Sequence, residues 1–362
     1  MLRTAFVGWP KVGKTTIFRL ITGLSAEHPG AGGGKYSQHI GITDVPDPRL
    51  GALAEIFEPK KITPAQIEFM DLAGIAKGEA KDSTYHSHLR NVDALAHVLR
   101  GFRDPTVMHV EGDINPVRDL ELFEMELVLA DLAQLEARKE RLSKDIKKMK
   151  SKALEDEMHL LERMIPWLEE GKPLRQMILS GEEEKLVRGF TLLSLKPMLF
   201  VLNLDEEDTR RQEDVIQELG LGSYKDYPRT ALVTVCARIE SEIAELPEEE
   251  VETFLKDLGY KEPGLDRLIA SMYALLDLVS FLTAGEQEVR AWPIPRNCLA
   301  PQAAGTVHSD FEKGFIRAEV IPWEKLVACH GYAGAKEKGL LRQEGKNYHV
   351  QDGDTIIFRF NV

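Results

Sequence analysis

The 362-residue sequence predicts an α/β fold built on buried strands, and three observations carry that reading. The stretch Gly8-Trp9-Pro10-Lys11-Val12-Gly13-Lys14-Thr15 fits G-x-x-x-x-G-K-[ST], a loop that wraps phosphates. It follows the apolar run Thr4-Ala5-Phe6-Val7 and precedes Thr16-Ile17-Phe18-Arg19-Leu20-Ile21, whose apolar spacing is helical, so it has the strand–loop–helix context it requires. Further short apolar runs at 67–70, 94–99, 197–202 and 231–235 repeat the buried-strand pattern.

Each residue of the loop has a physical task. Gly8 and Gly13 let the backbone approach the phosphates and turn its N–H groups inward, while Trp9, Pro10, Lys11, Val12 and Thr16 complete the cradle. Lys14 adds charge, the Thr15 hydroxyl is placed to ligate Mg2+, and the helix N-terminus completes the anion site. Downstream, His28 to Lys35 is a glycine-rich loop standing where a switch would. The run Ile67-Glu68-Phe69-Met70 leads into Asp71-Leu72-Ala73-Gly74, a D-x-x-G pattern. Its Asp71 is expected to hold Mg2+ through water and its Gly74 N–H to meet a γ-phosphate.

Between the strands at 94–99 and 197–202 lies an insertion. Met125, Val128, Leu132, Leu135, Lys139, Leu142, Ile146 and Met149 recur in steps of three and four. Leu154, Met158, Leu161, Ile165 and Leu168 repeat the rhythm, which predicts an antiparallel helical hairpin turning near 150–153. Pro166 and Gly171-Lys172-Pro173 mark where the returning helix kinks and ends. Residues 138–152 hold eight basic side chains against two acidic ones, either a solvated coiled-coil face or a contact for RNA phosphates. After Asn203 comes an acidic stretch, the run at 231–235 and Cys236-Ala237, then an acidic helical segment at 245–252. The last third changes character: 289–294, 316–321 and 355–360 read as short strands separated by turns, a separate small mixed domain.

Composition narrows the class. With 43% hydrophobic and 29% charged residues the chain is globular, and no apolar run is long enough to cross a bilayer. The first strand begins almost at the N-terminus, leaving no room for a targeting segment, so the cytoplasm is the expected location. Cys236, Cys298 and Cys329 are far apart, which argues against a zinc site or a disulfide framework. A net charge of −13 gives no global attraction to nucleic acid; DNA is not an expected partner, and RNA contact would need a local basic patch.

These landmarks together resemble the YchF/Obg-like ATPase family over nearly the whole chain. The most specific matches are C-terminal: Phe281-Leu282-Thr283-Ala284-Gly285, Ala300-Pro301-Gln302-Ala303-Ala304-Gly305, the run from His308 to Val320, and Asp352-Gly353-Asp354. Val45-Pro46-Asp47-Pro48-Arg49-Leu50 and Leu129-Ala130-Asp131-Leu132 match as well. The resemblance implies a P-loop G domain (1–118 and 191–277), an inserted hairpin (119–190) and a C-terminal ubiquitin-like β-grasp, the TGS domain (278–362). Asn203-Leu204-Asp205-Glu206 fits the family's base-reading N-x-x-E instead of the guanine-reading N-K-x-D. Leu204 supplies no Lys stem to pack on a guanine and Glu206 is a methylene longer than Asp, so ATP is the expected ligand and GTP the alternative; Cys236-Ala237 would flank the base. Ile75 stands where Ras-like enzymes carry a water-positioning Gln, and the family's histidine in that role matches His109, whose other reading is a structural strand residue.

Several positions depart from the family pattern. Lys35 stands about where a first-switch Thr would ligate Mg2+, the segment 82–88 is not glycine-rich, and Lys11 replaces an Asn. The Lys11 ammonium either folds back toward the phosphates or points to solvent. Taken together, the sequence predicts a Mg2+-dependent NTPase that turns ATP over slowly, with Lys14 and His109 as catalytic groups and ribosome association implied by the family. The competing expectation is a ribosome- or RNA-binding adaptor that holds nucleotide with little turnover.

Overall fold

The computed structural model describes residues 2–24, 38–72, 83–149 and 151–361. The chain divides into two compact units, one of Leu2–Gly41 with Glu68–Ser271, the other of Ile42–Ile67 with Met272–Val362.

In the larger unit lies a six-stranded sheet in the order β2-β4-β1-β5-β6-β7. Its members are β1 (Arg3–Val7), β2 (Gln38–Asp44), β4 (Gln66–Leu72), β5 (Ala94–Arg100), β6 (Met198–Asn203) and β7 (Thr230–Val235); β2 and β4 carry the chain between the units. The pairs β1–β4, β1–β5, β5–β6 and β6–β7 are parallel. Every residue of β5 and β6 is buried, as expected where a parallel sheet is covered on both faces. Helix α1 (Lys14–Thr22) starts on Gly13, buries Ile17, Phe18 and Ile21, and stops at Gly23, whose φ of 65° is the left-handed cap that glycine takes without strain. Phe6 stacks on Phe69 at 5.2 Å and meets Phe18 edge-on, fixing α1 over the sheet.

The insertion is a hairpin of α4 (Pro116–Lys148) and α5 (Lys152–Glu169), the first helix ending and the second beginning next to the turn expected near 150–153. Asn115 caps α4 by accepting from the Arg118 N–H, with Pro116 in the first helical position. Leu120, Phe123 and Leu127 pack into the sheet core, so the base of α4 belongs to the body of the unit. Further along, Val128, Leu135 and Leu142 meet Leu160, Leu161, Met164, Ile165 and Leu168 of α5. The expected seam frays at its ends, since Met125 and Met149 are exposed. Pro166 does not end α5, which runs on to Glu169 before Gly171 takes φ 76°. Buried Asp131 accepts from the N–H groups of Leu193 and Ser194 at 2.9 and 2.7 Å and fastens the segment that returns to the sheet. The acidic segment expected as one helix from 245 is broken at Leu246-Pro247, because proline cannot donate to the preceding turn; separate helices cover Ala237–Glu245 and Glu248–Leu258.

The smaller unit is built on a mixed sheet ordered β11-β10-β12-β8-β9-β3. Its strands are β3 (Ile62–Thr63), β8 (Leu278–Ala284), β9 (Val289–Pro295), β10 (Phe315–Pro322), β11 (Arg342–Glu344) and β12 (Asp354–Phe360). The β8–β9 and β10–β12 pairs are antiparallel and β12–β8 is parallel. A helix over Ala300–Val307 lays Ala300, Ala303 and Ala304 against Phe281, Ile294, Val320 and Ile356. Residues 42–67 join this unit for two visible reasons. Ile62-Thr63 pair with Val289-Arg290, and Arg49, in α2 (Pro48–Phe57), bridges Asp47 at 2.7 Å and Asp352 at 2.9 Å. Asp352 in turn accepts from the Ser280 N–H, so the turn before β12 is tied to β8 and α2 at once.

Candidate nucleotide site

The loop between β1 and α1 has the backbone its glycines allow. Gly8 takes φ 131°, and a Cβ there would stand 2.5 Å from the Val98 carbonyl oxygen; Gly13 takes φ 101°, and a Cβ would stand 2.4 Å from Asn203 Nδ2. Both are positions where a side chain would push the loop off the sheet. Trp9 and Val12 are buried, with Trp9 Nε1 donating to the Asp119 carbonyl at 3.3 Å, so they brace the cradle and can offer a ligand only backbone. Lys11 sits at φ 64° and is exposed, so its side chain stands in solvent.

Lys14 is buried and donates to the carbonyls of Gly8 and Trp9, each at 3.0 Å. Burial pushes its pKa down to about 8, against the pull of Asp71. Thr15 Oγ1 donates to Asp71 Oδ2 at 2.8 Å, which brings together the two predicted metal ligands. Burial raises the Asp71 carboxyl, with the Thr15 hydrogen bond and the Lys14 charge opposing it, and Asp71 Oδ1 is buried with no partner among the described residues. A hydroxyl beside a carboxylate with a spare buried oxygen is a donor set that fits Mg2+. Gly74, Ile75 and Lys35 lie outside the described residues, as does the whole loop 28–35; of the segment 82–88 all but Asp82 is described, in a helix over Ser83–Arg90.

At the far end of the loop, Asn203 joins the cradle to the base-reading segment. Its Nδ2 donates to the Val12 carbonyl at 3.0 Å, and its Oδ1 accepts from the Ala237 N–H at 3.1 Å. The two sequence motifs are thus one hydrogen-bonded unit. Beside it opens a cleft of about 710 Å³, bounded by Gly13 and Thr16 at one end and by Asn203, Glu206, Cys236 and Ala237 at the other. Leu204 also borders this cleft, and at 2% exposure its side chain is packed in the core. Cys236 is buried, which raises its thiol pKa, so it acts as a small apolar wall. Glu206 is partly exposed and pairs with Arg238 Nε at 2.6 Å. The motifs do not point to Arg238, although it directly follows Cys236-Ala237; nor do they point to Phe102 and Arg103, which also line the cleft.

His109 lies in the irregular segment between β5 and α4, its side chain 1% exposed, with neighbours Met108 and Val110 exposed. Its Nε2 stands 2.9 Å from Asp119 Oδ2, and its Nδ1 accepts from the Glu111 N–H at 3.2 Å. Nδ1 is hydrogen-bonded, whereas Nε2 stands within ion-pair distance of Asp119 without hydrogen-bond geometry. A second histidine, unflagged by the motifs, is His97 on β5, fully buried against Phe123 and Phe200 and 3.2 Å from where a Gly8 Cβ would stand. Burial drives its pKa down to about 3, so it is neutral packing beneath the loop.

On the hairpin, Arg138 is neutralised by Glu157 at 2.6 Å. Arg141, Lys144, Lys147, Lys148 and Lys152 are exposed and without ion-pair partners among the described residues; Lys150 lies outside them.

Comparison with known proteins agrees with this layout. A model for the C-terminal domain of YchF GTPases, described as a protein of unknown function, matches residues 278–361, and a model for a 50S ribosome-binding GTPase matches residues 3–131. The chain is 44% identical over 365 residues to the ribosome-binding ATPase YchF of Bacillus subtilis, covering 100% of both chains. It is 40% identical to the protein of that name from Escherichia coli O157:H7, covering 99% of each. Among solved structures, the YchF GTPase of Schizosaccharomyces pombe superposes with a TM-score of 0.84 at 31% identity, over 99% of this chain and 97% of that one.

Proposed function

The chain belongs to the YchF family of ribosome-binding ATPases, and from that premise we propose that it binds ATP at the β1–α1 loop and hydrolyses it to ADP and phosphate in association with the ribosome. The observation that carries this reading is the convergence on one loop, residues 8–15, of a buried charge at Lys14, the Thr15–Asp71 pair that fits a metal, and Asn203, which anchors the loop beside the cleft that Glu206, Cys236 and Ala237 line.

The residues would act as follows. Lys14 releases the Gly8 and Trp9 carbonyls and, with the loop N–H groups, stabilises charge on the transferring phosphoryl group. Thr15 and Asp71 would hold Mg2+, which when bound neutralises charge on the β- and γ-phosphate oxygens. Asn203 and the backbone of Leu204 meet the adenine while Cys236 and Ala237 wall its other side. His109 orients the attacking water after leaving Asp119.

That last step favours a second reading. With His109 held at Nδ1 by the Glu111 N–H and standing 2.9 Å from Asp119, the second reading is an adaptor that holds nucleotide without turnover, with ribosomes or without them. Steady-state phosphate release from ATP and GTP, measured with and without ribosomes, separates the two. The ATPase reading expects slow release from ATP that His109→Ala abolishes with ATP affinity retained. Tight ATP binding without release under either condition would establish the adaptor.

A further inference from the structure

We infer that Arg238 sets the preference for adenine over guanine by occupying the carboxylate of Glu206; the inference rests on the base site proposed above. Arg238 Nε stands 2.6 Å from Glu206 Oε1, and both side chains line the cleft beside Asn203 and Ala237. The backbone position of Arg238 is fixed, because it follows Ala237, whose N–H is bound to Asn203 Oδ1 at 3.1 Å. Glu242, one helical turn on, approaches Arg238 no closer than 4.0 Å, so Glu206 is the preferred partner.

The chemistry of the two purines gives this pair its meaning. Guanine presents two adjacent donors, N1–H and the 2-amino group, and needs a free carboxylate to accept them. Adenine presents an unprotonated N1, which a free carboxylate would repel and a guanidinium N–H would satisfy. Glu206, although a methylene longer than the Asp of guanine readers, would if it stood alone still offer guanine an acceptor. With Arg238 Nε at Oε1, one carboxylate oxygen is taken and its charge is offset, while the other guanidinium N–H groups remain as donors beside the base site. Lysine at 238 would give the same charge without the planar fork that can hold a carboxylate and a base nitrogen together.

The pair is open to water, Arg238 at 78% and Glu206 at 43% exposure, so guanine could break it at modest cost. The expected discrimination is accordingly about three- to tenfold, the scale of a solvent-exposed ion pair strengthened somewhat by the arriving base.

Equilibrium titration with non-hydrolysable ATP and GTP analogues tests the inference on the native chain, Arg238→Ala, Glu206→Ala and the double variant. Arg238→Ala should raise GTP affinity relative to ATP by about three- to tenfold, and adding Glu206→Ala should cancel the gain, since no carboxylate is then released. An unchanged affinity ratio in Arg238→Ala, or an equal loss for both nucleotides, would overturn the inference. A native chain that binds GTP as tightly as ATP would instead overturn the proposed adenine site itself, so the two failures are distinguishable.

Discussion

The pH dependence of ATP binding tests the electrostatics of the loop directly, because the burial of Lys14 against the Gly8 and Trp9 carbonyls, offset only in part by Asp71, gives it a pKa of about 8. Bound phosphates would raise that value again. The sign follows: below about pH 8 the empty protein already carries the proton, whereas above it the site must take one up on binding, so affinity falls as pH rises. The limiting slope is one decade of affinity per pH unit. Between about pH 7 and about pH 9 the protonated fraction of a group titrating at about 8 drops from roughly nine-tenths to one-tenth, so the loss should approach tenfold. Calorimetric titration in buffers of different ionisation enthalpy counts the protons directly, with an uptake near 0.1 expected at the lower pH and near 0.9 at the upper. Flat affinity with no proton uptake would refute the reasoning, since Lys14 would then be charged in both states or would not meet the phosphates.

Further outcomes follow from particular contacts. Asn203→Ala leaves the Val12 carbonyl and the Ala237 N–H buried without partners, so urea denaturation should show a loss of about 2–4 kcal/mol together with weaker nucleotide binding. Changing Lys144, Lys147 and Lys148 together to Glu should lower ribosome co-sedimentation and reduce the slope of log affinity against log salt by about 2; an unchanged slope would mark the ridge as a solvated face. Lys11→Asn should stabilise the protein by about 0.5–1 kcal/mol in thermal melts, because asparagine accepts the φ of 64° that strains lysine, and it should leave turnover in the presence of Na+ unchanged.

The parts of the site that could be read from the sequence are those where backbone geometry dictates residue type. Gly8 and Gly13 occupy positive-φ positions against Val98 and Asn203 that no side chain could share, so the motif and the structure are two statements of one steric fact. The buried parallel strands were visible for a similar reason, as continuous apolar runs at β5 and β6. What stayed hidden depends on partners distant in the chain. Nothing local tells that Arg49 closes on Asp352, or that the two residues of β3 pair with β9, and so residues 42–67 do not read as members of the C-terminal unit. How Leu204 packs was not legible because a motif fixes order along the chain but not which way a side chain turns; its backbone N–H bonds to the Val235 carbonyl and its side chain fills the core. Arg238 was missed because its significance lies wholly in the carboxylate it meets.

The groups assigned to the proposed site hold one another. Lys14 is bound to two carbonyls of its own loop, Thr15 to Asp71, Asn203 to Val12 and Ala237, Glu206 to Arg238, and His109 stands against Asp119. A ligand that enters this cleft therefore exchanges hydrogen bonds more than it adds them, and each exchange returns only the difference between a phosphate or base and the internal partner it displaces. The differences are unequal. Lys14 gains most, since carbonyl dipoles give way to full negative charge in a buried setting, and Asn203 gains least, since both of its bonds are buried backbone contacts that hold the cradle in shape. The exchange at His109 is of another kind, because the imidazole must give up a buried carboxylate for a water molecule. On the proposed site, binding would be completed at Lys14, Thr15 and Asp71 while His109 remains beside Asp119, so the contact proposed to limit turnover is separate from those proposed to give affinity.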